Sequence, residues 1–566
     1  MARHLITSAL PYINGVKHLG NLVGSMLPAD VYARYLRLRG HDVLYICATD
    51  EHGTPAELAA QEAGVPVDDY CAEHHTLQAQ VCRGFALSFD YFGRSSSPQN
   101  RDQTQYLGRR LDQNGLVREE SSDQIYSRTD GRFLPDRYVI GTCPFCAYPA
   151  ARGDQCESCT RLLDPLQLIN PRSAVSQSSD IEVRASRHLY FLQSRLAPQL
   201  RAWVESQENW PALTTSIALK WLNEGLEDRC ITRDLDWGVP VDRPGFEDKV
   251  YYVWFDAPIE YIGATREWAD QDPERRDWRS WWYDADDVRY TQFMAKDNIP
   301  FHTIMFPATL IGTGEPWKLA DYIKGVNWLN YYGGKFSSSR KYGIFMDDAL
   351  DVLPADYWRY YLIANAPESD DTSFTWELFA AQVNKDLADT LGNFVHRVLT
   401  LGSRLFGPAV PGGADPGPHE QHLEEQIRAG LRGYEANLDA LQLRRAAQQL
   451  RALWSAGNAY LDLKAPWLEI KDSHDSARLT LRTAMNLIRL YGQISAPIIP
   501  DTAHALQSVF AIGNEPEPIG EAWPDGTPGI LNRLTTGAPF RVPDVLFRKV
   551  TERDVETWRS RFGAPE

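Results

Sequence analysis

The stretch HLITSALPYINGVKHLGN, residues 4–21, and the run VLYICA, residues 43–48, decide the fold of this chain. The first stretch opens on a short apolar run that ends at Pro11 and an Asn-Gly turn, which predicts a buried strand. From His18 onwards, apolar residues recur at intervals of four and three, and this spacing predicts a helix that ends near Gly40; the residues are Leu22, Met26, Ala29, Ala33 and Leu36. Because VLYICA predicts a second buried strand, the order strand, helix, strand indicates a parallel sheet with a right-handed crossover.

Ligands of such sheets bind at the carboxyl ends of the strands. The loop 11–21 and Asp50 follow the two predicted strands, so we expect them at the same edge. At a helix start, free backbone amides and the helix dipole favour phosphate. Gly20 would let the backbone approach a phosphate there, and His18 and Asn21 would offer hydrogen-bond donors. A histidine near a helix start is also a common capping residue, and His18 by itself does not decide between the two interpretations.

Composition places the chain among globular proteins. It has 566 residues, of which 43% are hydrophobic and 23% are charged, and its length suggests several domains of about 150 residues each. No apolar run approaches the ~18 residues of a membrane span, and the first residues lack the apolar core of a signal peptide, so we expect a cytoplasmic protein with no membrane partner. The net charge of −17 argues against a general nucleic-acid coating protein. The last third of the chain can still form a local basic face, because it carries several arginines: Arg428, Arg432, Arg444, Arg445 and Arg451.

The rest of the chain divides by pattern. Residues 116–230 interrupt the alternation of strands and helices with a cysteine cluster and a run rich in serine and proline. Aromatic runs that predict strands resume at Lys249–Trp254 and Arg289–Met294. After residue 376 the pattern is helical almost to the end, apart from a Gly/Pro-rich loop at 407–418. The predicted fold class is therefore α/β, with a Rossmann-type parallel-sheet domain that carries an insertion and is followed by an all-α helical bundle domain.

Two cysteine knuckles stand back to back in the insertion. They are Cys143-x-x-Cys146 and Cys156-x-x-Cys159. Four thiolates at this spacing suit a tetrahedral structural zinc, which leaves no coordination position open for chemistry. The alternatives are a pair of disulfides, which a cytosolic chain does not favour, or two separate redox motifs. The remaining cysteines are isolated and are interpreted as small buried apolar residues; they are Cys47, Cys71, Cys82 and Cys230.

A second loop carries cationic and hydroxyl groups. Lys335 and Arg340 flank Phe336 and three serines, after the flexible pair Gly333-Gly334. Alone, this sequence is typical of an exposed, solvated turn. Beside the 9–21 stretch, it also offers what is needed to hold a triphosphate from a second side.

Taken together, these stretches resemble the methionyl-tRNA synthetases, a family of class I aminoacyl-tRNA synthetases. ALPYINGVKHLGN at 9–21 is similar to the HIGH signature of that class, and KFSSS at 335–339 is similar to its KMSKS loop. The double cysteine knuckle selects the methionine family together with ICATDEHGTP at 46–55, YVWFDAPIEYIG at 252–263 and KDNIPFH at 296–302. The matches follow one another in order from residue 4 to beyond residue 470.

The resemblance implies a function and a domain organisation. It implies activation of methionine with ATP to methionyl-adenylate, transfer of methionine to initiator and elongator methionine tRNAs, and editing of homocysteine. It also implies ATP bound with Mg²⁺, one structural Zn²⁺ and, without the extra tRNA-binding domain of dimeric relatives, a monomer. The implied domains are a Rossmann catalytic domain in two halves, 1–115 and 231–325, a connective insertion with a zinc knuckle at 116–230, a KMSKS-type loop and stem-contact region at 326–375, and an α-helical anticodon-binding domain at 376–566.

The resemblance also assigns site residues. The catalytic residues it implies are His18, Asn21, Arg233, Lys335 and Ser338. The residues it implies for ATP binding are Tyr12, Asn14, His18, Gly20, Asn21, Asp297, Lys335, Ser337 and Ser338. The residues it implies for methionine binding, with Asp50 on the α-ammonium, are Leu10, Tyr12, Asp50, Trp254, Ala257, Pro258, Tyr261, Asn298, His302 and Phe306. The anticodon readers it implies are Asn393, Arg397, Pro466 and Trp467, and the zinc ligands are Cys143, Cys146, Cys156 and Cys159.

Two positions depart from the family pattern. Asn21 stands where HIGH has its second histidine, and Ser338 stands where KMSKS has its second lysine. The second change removes a positive charge, and the cation that replaces it stays open among Lys335, Arg340 and Lys341. For Trp467 a place in the core is the alternative to base stacking, because most tryptophans are buried.

Three other functions agree less well with the sequence. Synthetases for valine, isoleucine or leucine carry a large editing insertion, for which residues 116–230 are too short and too rich in cysteine. Cysteinyl enzymes hold zinc through dispersed ligands. A tRNA-binding relative without catalysis is supported only by the two altered signature positions. The retained signature residues count against it; they are His18, Asp50, Trp254, Asp297 and Lys335.

Overall fold

The structure is a computed structural model. It describes every residue except 1, 155, 157, 160, 162, 338–341, 511–518, 520–522, 528 and 565–566. The predicted site residue Ser338 and the cations Arg340 and Lys341 lie outside the described residues.

A five-stranded parallel sheet forms the centre of the first domain. Its strands, in chain order β1 to β5, are Arg3–Ser8, Asp42–Thr49, Tyr91–Arg94, Val288–Ala295 and Tyr322–Val326. They lie in the order β5-β4-β1-β2-β3, and every neighbouring pair is parallel. This is the Rossmann order, so the predicted fold class is confirmed. The order reverses between β1 and β4, which places a ligand crevice at their carboxyl ends.

Helices cover both faces of this sheet. The helix after β1 begins at Leu19–Asn21, continues through a π-helical segment, Leu22–Met26, and ends as Leu27–Leu38. The other α-helices of this domain are Thr54–Ala63, Val67–Gly84, Pro98–Gln113, Val253–Asp270, Arg279–Trp282 and Phe306–Gly312, the last preceded by the π-helical Phe301–Met305.

The strand predicted at Lys249–Trp254 is largely wrong. Only Val250–Tyr251 is a strand, and the helix Val253–Asp270 begins directly after Tyr252. A short aromatic run does not distinguish a buried strand from the first turn of a buried helix. The helix is recognisable only from the apolar residues beyond the run, of which Phe255 and Ile259 are buried.

The insertion leaves the domain through a long antiparallel pair of strands, Val117–Ser127 and Ile181–Phe191. A small three-stranded sheet carries the cysteine knuckles, with strands Val139–Thr142, Ala151–Arg152 and Ile169–Ser173. Further short strands are Arg132–Phe133, Arg229–Cys230 and Thr232–Arg233, and short 3₁₀ helices are Asp136–Tyr138, Pro165–Gln167 and Gln193–Leu196. Helices Ala197–Glu205 and Ala212–Glu224 lead back to the sheet domain.

After β5 a small mixed sheet carries the second loop. Its strands are Leu329–Tyr331, Gly334–Lys335 and Thr372–Phe374, with helices Met346–Val352 and Ala355–Ala364 between the last two. A continuous helical run then covers 376–406 as Trp376–Val383, the π-helical Asn384–Gly392 and Asn393–Phe406. The remaining helices are Pro418–Asp439, Leu443–Lys464, Pro466–Glu469, His474–Ile494, Pro500–Ser508 and Glu552–Arg561.

The prediction of helix almost to the end is wrong for 509–551. The described residues of this stretch contain no helix or strand, although Trp523, Phe540 and Phe547 pack into the core of the bundle. Proline and glycine recur there, and proline can neither donate to a helix nor fit its interior. In the described part of the chain, no helix is long and apolar enough to span a membrane.

One buried arginine joins the sheet domain to the helical bundle. Arg359 is fully buried, and its guanidinium pairs with Asp30 Oδ2 at 2.7 Å. It also donates to the carbonyl oxygens of Phe85 at 2.9 Å, Ile498 at 2.9 Å and Pro497 at 3.0 Å. Because its partners come from two domains, this side chain fixes how they pack.

Candidate functional site

A cavity of about 240 Å³ lies at the predicted crevice, beyond the carboxyl ends of β1 and β4. The predicted site residues that line it come from the loop after β1, the first helix, the loop after β4 and the second loop; they are Leu10, His18, Gly20, Asn21, Asp297, Asn298 and Lys335. Four segments that are distant in the sequence therefore meet where the topology places a ligand.

His18 and Asn21 form a reciprocal cap at the first helix. The Asn21 backbone N–H donates to His18 Nδ1, and the His18 backbone N–H donates to Asn21 Oδ1, both at 3.3 Å. Burial, with a smaller contribution from Lys17, lowers the pKa of His18 to about 3, so the ring is neutral at pH 7. Since Nδ1 accepts, the proton sits on Nε2, and the cap leaves this N–H as a donor. The capping interpretation is thus compatible with the ligand-binding one.

The second loop packs directly on His18. The rings of His18 and Phe336 are stacked, with centroids 4.7 Å apart and an angle of 21° between their planes. At Gly20, an added Cβ would lie 3.0 Å from His18 Nδ1, so glycine is what allows this ring position.

Lys335 is an exposed cation beside the cavity. Its Nζ lies 4.3 Å from the ring centroid of Trp328, and Lys296 Nζ lies at the same distance from that ring. Lys296 is neutralised by Asp371 at 2.7 Å, whereas no described carboxylate pairs with Lys335. The Trp328 indole N–H also donates to Asp297 Oδ1 at 3.2 Å, so one indole orders both predicted ATP contacts.

Asp50 is a buried carboxylate for which no described cation lies within ion-pairing distance, although the charge of nearby Lys17 acts to lower its pKa. It is 6% exposed, and within the described residues its Oδ1 has no hydrogen-bond partner. Burial raises the pKa of Asp50 well above its usual range, and the nearby Asp256 and Glu51 add to this effect. Such a group is costly to keep ionised unless a positive charge arrives beside it.

Backbone pairing holds Tyr12 next to Asp50. The Asp50 N–H donates to Pro11 O and the Ile13 N–H donates to Asp50 O, both at 2.9 Å. The Tyr12 hydroxyl and the Trp254 side chain are hydrogen-bond partners, so the loop after β1 meets the helix Val253–Asp270 at this point. The predicted Asn14 is exposed and accepts from Lys17 Nζ at 2.9 Å.

Aromatic residues predicted for methionine lie together on two helices. Tyr261 OH lies 2.8 Å from His302 Nε2, and the ring of Phe306 is 6.1 Å from that of Tyr261. His302 Nδ1 lies 2.9 Å from the carbonyl oxygen of Asn298, which lines the cavity. Burial lowers the pKa of His302 to about 4, so a neutral ring donates from Nδ1 and accepts from Tyr261.

The other predicted residues of this group lie on the helix that carries Tyr261 and do not line the cavity. Trp254 packs edge to face on Phe301 at 5.0 Å. Ala257 and Pro258 lie on the same helix as Trp254, with Pro258 buried.

Ser337 exchanges backbone hydrogen bonds with Tyr342 at 3.0 Å, which closes the base of the second loop.

Arg233 does not line the cavity. Its Nε donates to Asp136 Oδ2 at 2.9 Å, and its guanidinium lies 3.6 Å from the ring centroid of Tyr252. These contacts hold Arg233 where the insertion joins the sheet domain, against Tyr252, which stands two residues before Trp254.

Sequence reasoning missed a link behind Asp50. His52 Nδ1 lies 2.6 Å from Asp256 Oδ2, and both side chains are buried. This contact ties the loop that carries Asp50 to the helix that carries Trp254. The motif DEHG shows a histidine near Asp50, but only the three-dimensional structure identifies its partner 204 residues away.

The four knuckle cysteines converge. Their Sγ atoms all lie within 4.8 Å of one another, with Cys143 and Cys159 at 3.9 Å and Cys146 and Cys156 at 3.6 Å. A tetrahedral zinc with bonds of about 2.3 Å would separate its sulfurs by about 3.8 Å. All four are free thiols, so the arrangement fits a zinc ion and does not match the disulfide alternative.

Two of the predicted anticodon residues, Arg397 and Trp467, border a cavity of about 370 Å³ in the helical bundle, whereas Asn393 and Pro466 do not line it. Trp467 is 38% exposed, so the alternative of a core position is wrong. The Arg397 guanidinium lies 5.4 Å from its ring centroid and pairs with Asp462 at 2.9 Å. Asn393 is exposed one turn before Arg397, and Pro466 is buried at the start of the helix that carries Trp467.

Comparison with known proteins points to the same family that the sequence motifs resemble. The family model for class I tRNA synthetases (M) matches residues 4–399, and that for the anticodon-binding domain of methionyl tRNA ligase matches 410–566. Curated relatives named methionine–tRNA ligase are 64% identical in Streptomyces avermitilis and 56% identical in Caulobacter vibrioides, each over the whole of both chains. The structure of Mycobacterium tuberculosis methionyl-tRNA synthetase in complex with methionyl-adenylate is similar in fold, with a TM-score of 0.76, 24% identity, and coverage of 96% of this chain and 99% of that one.

Proposed function

The chain belongs to the methionyl-tRNA synthetase family of class I aminoacyl-tRNA synthetases, and we propose that the residues gathered at the β1/β4 crevice carry out its reaction. The enzyme activates methionine and charges tRNA with it. The observation that carries the assignment of roles is Asp50, which is buried beside Tyr12 with an Oδ1 that has no hydrogen-bond partner among the described residues, near a cavity bordered by His18 and Lys335.

In the first step, a methionine carboxylate oxygen attacks the α-phosphorus of ATP, and the bond to the leaving pyrophosphate breaks. Such a displacement needs positioning and charge stabilisation. The neutral His18 donates from Nε2, Asn21 supports the same phosphates, and Lys335 contributes positive charge from the opposite side. ATP would bring Mg²⁺ with it, as phosphoryl substrates usually do.

The remaining ATP contacts follow from position. Asp297, held by the Trp328 indole, faces the ribose, and Gly20 allows close approach of the backbone. Tyr12, Asn14 and the loop residues Ser337 and Ser338 complete the set by resemblance. Arg233 joins the phosphate chemistry only after exchanging its contact with Asp136, so we assign it a role in a later, rearranged state of the site.

The amino-acid pocket combines one charge with apolar walls. The Asp50 carboxylate pairs with the α-ammonium of methionine. The polarizable thioether contacts aromatic rings, which favours sulfur; the pocket residues are Leu10, Tyr12, Trp254, Ala257, Pro258, Tyr261, Asn298, His302 and Phe306. The hydrogen-bonded Tyr261–His302 pair presents no free charge to the side chain.

The direct test is amino-acid-dependent exchange between ATP and pyrophosphate. We expect exchange with methionine and none with leucine, isoleucine or cysteine. Folded protein that shows no exchange with methionine would contradict the proposal. Homocysteine lacks only one methyl group, which an apolar pocket discriminates by about 1–3 kcal/mol. We therefore propose that homocysteine is activated and then released as its thiolactone. When tRNA is added, homocysteine should consume ATP without charging the tRNA.

Trp467 is proposed to stack on an anticodon base, with Asn393, Arg397 and Pro466 around it. Stacking of this kind is worth about 1–3 kcal/mol, so Trp467→Ala should reduce aminoacylation of tRNA by roughly fivefold to a hundredfold and leave pyrophosphate exchange intact. Trp467→Phe should keep most of the activity. The neighbouring Leu468, 54% exposed, is a matched control whose change to alanine should have little effect. Parallel loss of both activities in Trp467→Ala would show a structural role instead.

We propose that the four knuckle cysteines hold one structural zinc. Elemental analysis should find one zinc per chain, and Cys143→Ser should lower both the zinc content and the stability of the insertion. Cys230→Ser is the control, because this cysteine lies outside the cluster. A metal-free chain with full activity would rule out the zinc.

The remaining proposals concern the whole chain. We propose a cytoplasmic monomer that serves both initiator and elongator methionine tRNAs. We also propose the division 1–115, 116–230, 231–325, 326–375 and 376–566 as its working units, supported by the long strand pair that frames the insertion and by the change to helices after residue 376.

A further inference from the structure

A buried polar network lies at the base of the insertion, beside the strand that carries Arg233. Its centre is the Asp234 carboxylate, which pairs with Lys249 Nζ and lies 3.1 Å from His188 Nε2. The Ser186 hydroxyl donates to the same carboxylate at 2.9 Å and accepts from Lys249 Nζ at 3.0 Å. Burial alone would raise the pKa of Asp234, but hydrogen bonds from His188 and Lys249 outweigh burial and lower this pKa to about 2, so the carboxylate is ionised at pH 7.

The network joins three separate segments of the chain. Two of its members lie on the long insertion strand Ile181–Phe191. Asp234 directly follows the strand Thr232–Arg233, and Lys249 directly precedes Val250–Tyr251, the strand that pairs with it. The network therefore ties the returning strand of the insertion to the short strand pair that leads into the sheet domain.

Thr232 extends the network and is not available as a nucleophile. Its hydroxyl oxygen lies 3.0 Å from His188 Nδ1 and accepts the backbone N–H of Leu189 at 3.0 Å. The order Thr232, His188, Asp234 is that of a hydrolytic triad of nucleophile, base and acid. Because Thr232 is fully buried, however, its hydroxyl is closed to a substrate, and these contacts serve to hold the strand.

Arg233 stands between two residues that the network anchors. Side chains of successive strand residues point to opposite sides, so Thr232 and Asp234 face the network and Arg233 faces away from it. The Arg233 guanidinium instead contacts Asp136 at 2.9 Å and lies 3.6 Å from the ring centroid of Tyr252. The network therefore fixes the backbone on both sides of Arg233, whereas other residues hold its side chain.

We propose that Lys249, Asp234 and His188 are positioning residues for Arg233. They hold the strand in place while the Arg233 side chain exchanges Asp136 for the phosphates of ATP, so this exchange needs rotation about side-chain bonds and no movement of the backbone. A fixed backbone matters because misplacing a catalytic group by about 1 Å costs on the order of a hundredfold in rate. This inference rests on the proposed function, because it takes Arg233 to act on those phosphates.

The test is a double-mutant cycle between Lys249 and Arg233. The rate of methionyl-adenylate formation at saturating methionine and ATP is measured by rapid quench, together with methionine affinity, for the unsubstituted enzyme, Lys249→Met, Arg233→Ala and the variant with both changes. Arg243→Met is the matched control, alone and combined with Arg233→Ala. Arg243 also anchors the base of the insertion, but its partners, Asp112 at 3.1 Å and Glu119 at 2.9 Å, do not belong to the network.

We expect Lys249→Met to slow adenylate formation by roughly tenfold to a hundredfold, with methionine affinity changed by less than about threefold. A residue that acts through Arg233 has nothing left to position once Arg233 is replaced by alanine. The variant with both changes should therefore be as slow as Arg233→Ala alone, within about threefold. Arg243→Met should leave the rate nearly unchanged in both backgrounds.

An unchanged rate in Lys249→Met, or a loss that multiplies with that of Arg233→Ala, would overturn the inference, since the network would then act on something other than Arg233. If Lys249→Met does not fold, the isosteric Asp234→Asn replaces it in the cycle and is judged by the same two outcomes. An unchanged rate in Arg233→Ala would remove the role assumed for Arg233 and the inference with it. Failure of the proposed function as a whole would appear separately, as absent adenylate formation in the unsubstituted enzyme.

Discussion

Asp50→Asn should lower kcat/KM for methionine-dependent exchange by two to three orders of magnitude. The substitution leaves the α-ammonium of methionine buried beside a neutral amide, and breaking a buried charge pair typically costs about 3–5 kcal/mol, or roughly a hundredfold to several thousandfold. The loss should appear mainly as weaker binding of methionine. Exchange kinetics at varied methionine concentration measure it.

The same variant should be at least as stable as the unsubstituted enzyme. Burial raises the pKa of Asp50 in the folded chain, so at neutral pH its ionisation opposes folding and the amide removes that cost. The raised pKa of Asp50 also predicts that methionine affinity falls as the pH drops, because only the ionised carboxylate pairs with the ammonium. Glu260→Gln is the matched control, since this carboxyl is also buried and its pKa is likewise raised well above its usual range by burial. If the methionine affinity of Asp50→Asn stayed within tenfold of that of the unsubstituted enzyme, this would contradict the role assigned to Asp50.

Arg359→Met should destabilise the enzyme by about 3–5 kcal/mol, because it removes the fully buried partner of Asp30 and leaves this carboxylate with the partly exposed Arg34 as its remaining ion pair. It also strands three carbonyl oxygens, those of Phe85, Pro497 and Ile498. The first unfolding transition in urea measures the effect.

A double-mutant cycle separates the charge from the packing. Arg359→Met combined with Asp30→Asn should cost less than the sum of the two single changes, since the pair between Arg359 and Asp30 is already broken in either single variant. Arg359→Lys should fall between, because lysine keeps the charge but cannot reach all the acceptors at once. A loss below about 1 kcal/mol for Arg359→Met would place this contact among ordinary surface ion pairs.

Local patterns in the sequence predicted what is local in the structure. The first strand, helix and second strand were visible because each is built from short-range periodicity, and they appear as Arg3–Ser8, Leu19–Leu38 and Asp42–Thr49. The strand order across the sheet was not visible, because it depends on pairing between β1 and β4, which are far apart in the chain. The helix Val253–Asp270 was missed because its first residues are aromatic and β-branched, which is the composition of a strand.

The site residues also divide into those that local sequence predicts and those that depend on contacts distant in the chain. His18, Asn21 and Asp50 were predicted because they follow recognisable strands directly. Trp328, which orders Lys335 and Asp297, was not, since nothing near it in the sequence indicates those partners. The same holds for the contact between His52 and Asp256, which only the folded chain creates.

The insertion is joined to the rest of the enzyme both through a stalk of two strands and through contacts of its lobe. Its two long strands pair residue by residue, from Val117 with Phe191 to Ser127 with Ile181. Neighbouring strands are about 5 Å apart, so the chain departs and returns at almost the same point. The lobe beyond this stalk also contacts the rest of the enzyme, since Tyr138 OH donates to Glu57 at 3.0 Å and Arg233 Nε donates to Asp136 at 2.9 Å. A change in the length of the stalk would break both contacts and release Arg233, so a protein engineer who grafts a reporter domain onto the lobe has to keep the stalk length and these two contacts.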